Sequence, residues 1–368
     1  MPPLRAFTFA RTFARKRAAL LACLALALWL GGCAGAGYYW QSATGHLKVM
    51  NAARPVDEWL ADPATPAPLR ERLALAARIR AFAVRELHEP DNASYRRYAD
   101  LHRRAALWNV TAAPPDSLTL KTWCYPVLGC AAYRGYYDQQ EADQLAASLR
   151  AREGLETYVY GVPAYSTLGW MNWAGGDPLL STFIHYPAGE LARMIFHELA
   201  HQIVYVKDDT QFNESFAVTV ERLGVARWLE LEADPAQRAE YAAFDARRQA
   251  FRQLTLQTRR ELEAVYAQQQ PPQGAAKEEV MQRFRARYAA LKARWAEEGS
   301  PFDGYDAWVA QANNASFGIQ AAYGQWTPAF EALFHQQGQD WPRFYAAVRQ
   351  LADLPKAERD ARLRALAQ

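Results

Sequence analysis

The chain has 368 residues, with 42 Lys and Arg against 39 Asp and Glu and a formal net charge of +3. Hydrophobic residues make up 51% and charged ones 22%, which excludes a disordered, collagen-like or disulfide-dense chain and leaves room for one large or two modest domains. So small a charge on this length also excludes the basic excess of a nucleic-acid-binding protein.

The N-terminus carries Arg5, Arg11, Arg15, Lys16 and Arg17 and no acid, and Ala18–Leu30 then runs without a polar group. That run is shorter than the ~18–20 residues of a spanning helix and fits the apolar region of a signal peptide. It ends in Leu30-Gly31-Gly32-Cys33, a pattern resembling the bacterial lipobox. The reading is a lipoprotein signal peptide over residues 1–32, with Cys33 lipidated as the mature N-terminus and an anchor in place of a span. Ala34, where an Asp would retain the protein at the inner membrane, points to the outer membrane, facing the periplasm. Without the leader, 37 basic residues face 39 acidic ones, a mature charge of −2.

The mature chain reads as α+β and mostly helical. Residues 33–220 carry an N-terminal helical segment, a small mixed sheet and a pair of helices with metal-ligand spacing. Leu73, Leu75, Ile79, Phe82 and Val84 recur at helical spacing. Leu118–Trp123, Thr157–Val162 and Leu179–His185 have strand character, with a helical pattern over Asp138–Arg150. Cys124 and Cys130 flank a Pro- and Gly-containing loop; in an oxidising envelope they form a small disulfide, or else stay as two buried thiols. Residues 221–298 read as a long charged helical hairpin broken at Gln270–Gly274, its charges a solvated face. Residues 299–368 are helices completing the domain. The scattered tryptophans read as core, not as a carbohydrate platform.

The chemistry lies in Phe196-His197-Glu198-Leu199-Ala200-His201. His197 and His201 stand one helical turn apart on one face, so both imidazoles can reach one Zn²⁺. Glu198 projects beside the ion, where it can take a proton from bound water. Apolar neighbours bury this helix, and buried imidazoles need partners: a metal, or carbonyls in a structural core. Val204 and Lys207 stand where a metzincin would place Gly and His, which excludes that class. Beyond the polar turn Lys207–Thr210 a second apolar helix begins. If the two helices are antiparallel about residue 208, Glu214 lies within ~2 Å of the height of His201 and becomes the third ligand. Asp208 and Asp209 read as turn and cap residues. Glu221, two turns beyond Glu214, either supports a ligating histidine or faces solvent.

Phe196–His201 and Asp209–Ala217 resemble the bacterial family of predicted zinc aminopeptidases, as do Asn92–Tyr95, Trp108–Val110, Tyr133–Tyr136 and Ala164–Trp170. The resemblance runs from about Tyr38 to at least Tyr323. It implies a zincin-like catalytic core and a gluzincin-type metallopeptidase, with one Zn²⁺ on His197, His201 and Glu214 and Glu198 as base. The chain departs from the family by extending Asn172–Gly176 before Asp177-Pro178. It also carries Val218 where gluzincins place a carboxylate.

Tyr323 is the candidate for stabilising the oxyanion, against the plainer reading of a packed tyrosine; Tyr165 is a weaker one. Leu179–His185, just upstream of the metal helix, is the candidate for pairing with substrate backbone. His185 reads as a strand-end histidine. The function expected is peptide hydrolysis, with the peptide as substrate and the membrane met only through Cys33. The alternative is an envelope scaffold with a structural zinc site and the hairpin as docking surface.

Overall fold

The computed structural model describes residues 37–125, 129–268, 273–320 and 324–367. The leader over residues 1–32, Cys33 and Tyr323 lie outside the described residues. Residues 37–52 are helical (α1); those up to Lys48 belong to a unit of their own, and the body is Val49–Gln368. No helix among the described residues is long and apolar enough to cross a membrane.

The body is mostly helical with small sheets. It opens with β1 (Arg54–Pro55), α2 (Val56–Ala61), α3 (Ala67–Leu87) and β2 (Arg97–Ala99). There follow β3 (Leu107–Ala113), β4 (Trp123–Tyr125), β5 (Gly129–Ala131), β6 (Arg134–Tyr136), α4 (Gln139–Glu153) and β7 (Glu156–Val162). After β8 (Leu179–Leu180) come α5 (Ala188–Ala200), α6 (Thr210–Leu231), α7 (Pro235–Ala267) and α8 (Gln273–Glu297). The chain closes with α9 (Asp306–Ala310), α10 (Asn314–Gln320), α11 (Thr327–Gln336), α12 (Trp341–Ala352) and α13 (Lys356–Leu366).

β3 is the centre of an antiparallel sheet in the order β6-β3-β7, with Asn109 opposite Tyr160 and Trp108 opposite Tyr136. β4 and β5 form a separate hairpin in which Cys124 faces Cys130, and the two are disulfide-bonded. A third sheet, β1-β2-β8, pairs β8 parallel to β2. Only Leu179 and Leu180 of the expected Leu179–His185 strand are extended, and both are buried. The chain then turns through residues 181–186, so the extended part is limited to two residues at the edge of this sheet, beside β2, and His185 is exposed. Likewise Leu118 packs against the hairpin's core, and strand geometry begins only at Trp123.

α5 buries Leu191, Ala192, Ile195, Phe196, Leu199 and Ala200 on its broad apolar side, while Glu190, Arg193 and His197 recur at i, i+3 and i+7 as a polar stripe that needs partners of its own. Phe196 stacks on Phe82 of α3 at 6.0 Å, and Phe216 of α6 sits among Phe330, Phe344 and Tyr345. Each fully buried side chain of this size contributes roughly 1.5–3 kcal/mol. α6 approaches closely at Gly224, where a Cβ would lie 2.6 Å from Leu87 and 3.0 Å from the Phe196 ring. The hairpin is α7 and α8, beginning at Pro235 and not at 221, because α6 continues to Leu231. Its faces are not merely solvated: Phe251, Leu254 and Phe284 form a second core with Trp308 and Phe317, and α7 also packs on α5.

The turn between α5 and α6 is held from three sides. Asn213 accepts from Val206 N and donates to Val206 O, both at 2.8 Å. Asp208 accepts from Cys130 N of the disulfide hairpin at 2.5 Å. Asp209 caps α6 through Phe212 N and accepts from Arg359 Nη2 at 2.7 Å and Lys356 Nζ at 3.0 Å. Burial alone would raise the Asp209 carboxyl, but Arg359 and Lys356 reverse this and hold it below the usual range. Asp209→Ala leaves the buried Arg359 without its counter-charge, and chemical denaturation is expected to show a loss of about 3 kcal/mol. Because the folded pKa is depressed, this contribution is present above the unfolded value of ~3.9 and is lost as pH falls through the folded one.

Candidate metal centre

The helical repeat carries His197 and His201 to one face of α5, and the clamped turn returns α6 so that Glu214 meets them. His197 Nε2 lies 3.2 Å from His201 Nε2 and 3.4 Å from Glu214 Oε2, and His201 Nε2 lies 3.8 Å from the same oxygen. These three groups could hold a metal ion. Glu221, for which the sequence leaves two readings open, faces the His197 ring, with Oε2 at 2.8 Å from Nδ1.

Behind Glu221 lies a set of charges that the sequence reading did not identify. Arg193, one turn before His197 on α5, donates to Glu221 Oε1 at 2.9 Å and to Glu190 Oε2 at 3.1 Å. Arg248 of α7 then grips Glu190 with both terminal nitrogens, at 2.8 and 2.9 Å. Charges removed from water need such partners, and a bidentate guanidinium–carboxylate pair is among the strongest. The i, i+4 spacing of Arg193 and His197 was a visible signal for the first link. The second comes from a helix more than fifty residues away in sequence, and no local pattern announces it.

This network sets the charge state of the centre. Burial would raise the Glu221 carboxyl, but Arg193 and His197 hold it at about 2, so it is ionised at any ordinary pH. Burial disfavours the charged His197 ring, yet hydrogen bonds that it donates to the Glu214 and Glu221 carboxylates raise its pKa well above the usual value. His201, whose Nδ1 is buried without a partner, is pushed down to about 4 by burial and is neutral. Burial also moves Glu214 up, and the two histidines bring it back below the usual range. The two carboxylates thus favour a positive charge at this cluster, and a metal ion binding through His197 Nε2 would compete with a proton there.

Glu198 lies beside this cluster on the wall of a cavity of about 550 Å³. Burial pushes its carboxyl up to about 7, with His197 opposing and Glu214 reinforcing the shift. Its backbone carbonyl accepts weakly from Ser166 Oγ at 3.4 Å. The cavity is also lined by the end of β7 and the chain after it, Val162–Tyr165, and by Tyr133. Tyr133 belongs to a segment whose one signal in the sequence is its family resemblance. Burial first, and then the nearby Glu214, raise its hydroxyl far above the usual range, so it remains a donor. Tyr165 also lines the cavity, packed edge-to-face on Tyr137 at 5.8 Å. Arg248, Arg252, Thr255 and Leu256 of α7 also line the cavity, so part of the hairpin's charge faces this site and not solvent alone.

The model of the family described as Putative aminopeptidase matches residues 37–363. The chain belongs to that family. No curated protein and no solved structure matches it. The match spans the sheet, the paired helices and the hairpin alike.

Metal-free protein equilibrated with Zn²⁺ and gel-filtered is expected to retain one ion per chain by elemental analysis. His201→Ala and Glu214→Ala are expected to retain far less than one. Glu221→Gln keeps the stoichiometry but binds about 10–100-fold more weakly, because it loosens His197 without removing a donor.

Proposed function

We propose that the protein is a zinc-dependent peptidase, an aminopeptidase as its family's description suggests, anchored by a lipid on Cys33 to the outer membrane and facing the periplasm. The observation that carries the catalytic reading is the convergence of His197 Nε2, His201 Nε2 and Glu214 Oε2 on one point, with Glu198 beside them on an open cavity wall. Four-coordinate zinc with bonds of ~2.0–2.2 Å separates neighbouring donors by ~3.3–3.5 Å. The spacings of 3.2, 3.4 and 3.8 Å fit that figure. Two imidazoles and one carboxylate also match the ligand set of catalytic zinc, which keeps one position for solvent or substrate.

When bound, zinc would supply a Lewis acid that polarises a carbonyl and lowers the pKa of water. The chain's own groups do the rest. Glu198 accepts a proton from the attacking water as the C–O bond forms, then delivers it to the amide nitrogen as the C–N bond breaks. A carboxyl that burial moves towards neutrality is suited to both transfers. The Tyr133 hydroxyl donates to the oxygen on which negative charge develops. The end of β7, whose strand pairs only with β3 within its sheet, presents backbone groups to an extended peptide. In this reading β7 takes the role expected of Leu179–His185. The basic leader, the thirteen-residue apolar run and the Gly-Gly-Cys33 ending support the envelope location.

The test is digestion of an unbiased peptide library with and without a chelator. Glu198→Gln is expected to bind zinc as the parent does and to lose about 10²–10⁴-fold in kcat/KM. Unchanged turnover in that variant overturns the mechanism. Because Glu198 acts when ionised, kcat/KM is expected to rise with pH through its pKa. A neighbouring cation favours the carboxylate, so in the metal-loaded enzyme the midpoint falls below about 7. The Glu221→Gln variant, which removes a negative charge near Glu198, moves that midpoint down further.

A further inference from the structure

The segment 163–176 leaves the cavity wall at Leu168 and then carries two indoles into solvent, Trp170 at 61% and Trp173 at 84% exposure. Most of the described tryptophans are packed; these two and Trp40 are the exposed ones. They are not on a loose end. Asn172 accepts from Ser94 Oγ at 3.0 Å, and the 3₁₀ turn Asn172–Ala174 closes at Gly175, whose φ of 104° favours glycine and where a Cβ would lie 2.6 Å from the Arg97 guanidinium. No residue from 163 to 176 is charged.

We propose that the Trp170–Trp173 turn is a membrane-surface contact that sets the mouth of the cavity against the bilayer. The observation that selects a lipid surface is where the chain enters the body. Arg97 donates to Met50 O at 3.1 Å and to Ala53 O, and the same guanidinium reaches Ala174 O at 3.5 Å. One side chain therefore ties the tryptophan turn to the point where the N-terminal segment joins. That segment is short. Helical rise of ~1.5 Å per residue over residues 37–48, and no more than ~3.6 Å for each residue before them, places Cys33 within roughly 30 Å of Val49. An acyl chain on Cys33 thus keeps this face near the lipid headgroups, where indole rings with an apolar body and one polar N–H are at home. The segment's own aromatic residues Tyr39 and Trp40 are exposed as well. With no charge on the turn, the contact is interfacial and not electrostatic, so it does not depend on anionic lipid or low salt.

The inference rests on the lipid-anchor reading, and its test separates the two. The full lipidated chain is reconstituted in phosphatidylethanolamine vesicles with and without phosphatidylglycerol, carrying a nitroxide at Trp173→Cys or, as control, at Glu279→Cys on α8. The mass of the N-terminal peptide reports acylation of Cys33. The label at 173 is expected to collide several-fold less with an aqueous relaxation agent than the label at 279, and more with oxygen, equally in both lipid mixtures. Aqueous access at 173 equal to that at 279 overturns the proposal. So does protection that arises only with added peptide, which would make the turn a substrate contact, or only with spin–spin broadening, which would make it a dimer contact. If Cys33 carries no acyl chain the anchor reading falls. The unlipidated protein is then mixed with the same vesicles, and unchanged access at 173 overturns the membrane contact too.

Discussion

Everything at the centre depends on one buried chain of charges, from Arg248 through Glu190, Arg193 and Glu221 to His197. α5 and α6 pack as apolar helices, and a charge left alone between them would cost several kcal/mol. The pairing removes that cost and does more. Arg193 keeps Glu221 ionised, Glu221 fixes one ring nitrogen of His197, and the other nitrogen is thereby turned towards His201 and Glu214. Because Arg248 stands on α7, the helical hairpin is coupled to the orientation of a candidate ligand. A peptidase built this way has its first group of donors arranged before any ion arrives, so little ordering remains to be done on binding.

The same economy governs the turn between the two helices. It has to return α6 at the right height, and it is long enough to wander. Asn213 fastens it to α6, Asp209 to α13, and Asp208 to the hairpin closed by Cys124 and Cys130. One local clamp and two elements distant in sequence thus fix the position of Glu214 relative to His201. The disulfide is therefore more than a staple on a small loop: it stiffens the strand pair whose next residues, Ala131 and Tyr133, form part of the cavity wall.

Local periodicity carried much of this into the sequence. The i, i+4 histidines, the apolar faces of the paired helices and the equal heights of His201 and Glu214 could all be read directly. So could α4 and β7, where spacing and composition agree. The features that escaped depend on long-range contact. Leu179–His185 has strand composition, but Phe183 and Ile184 are drawn into the main core and end the strand after two residues. The start of the hairpin was set too early because residues 221–231 are as helical in pattern as α7 itself; only the capping box at Asp234 and Pro235 marks the true break. Arg248 and Tyr133 reach the centre from other elements, and β3, visible only as a short family-like segment, proved to be the strand on which the sheet is built.

The charge chain holds two imidazoles and a carboxylate where a metal ion could bind, and the proposed occupant is one four-coordinate zinc ion. X-ray absorption at the zinc edge, on the protein as purified, tests this directly. The expected spectrum has a first shell of nitrogen and oxygen only at ~2.0–2.1 Å, with the outer-shell scattering of two imidazoles, which Glu214→Ala alters and Glu198→Gln leaves in place. Sulfur in the first shell, scattering from fewer than two imidazoles, or a spectrum that Glu214→Ala does not change would contradict it.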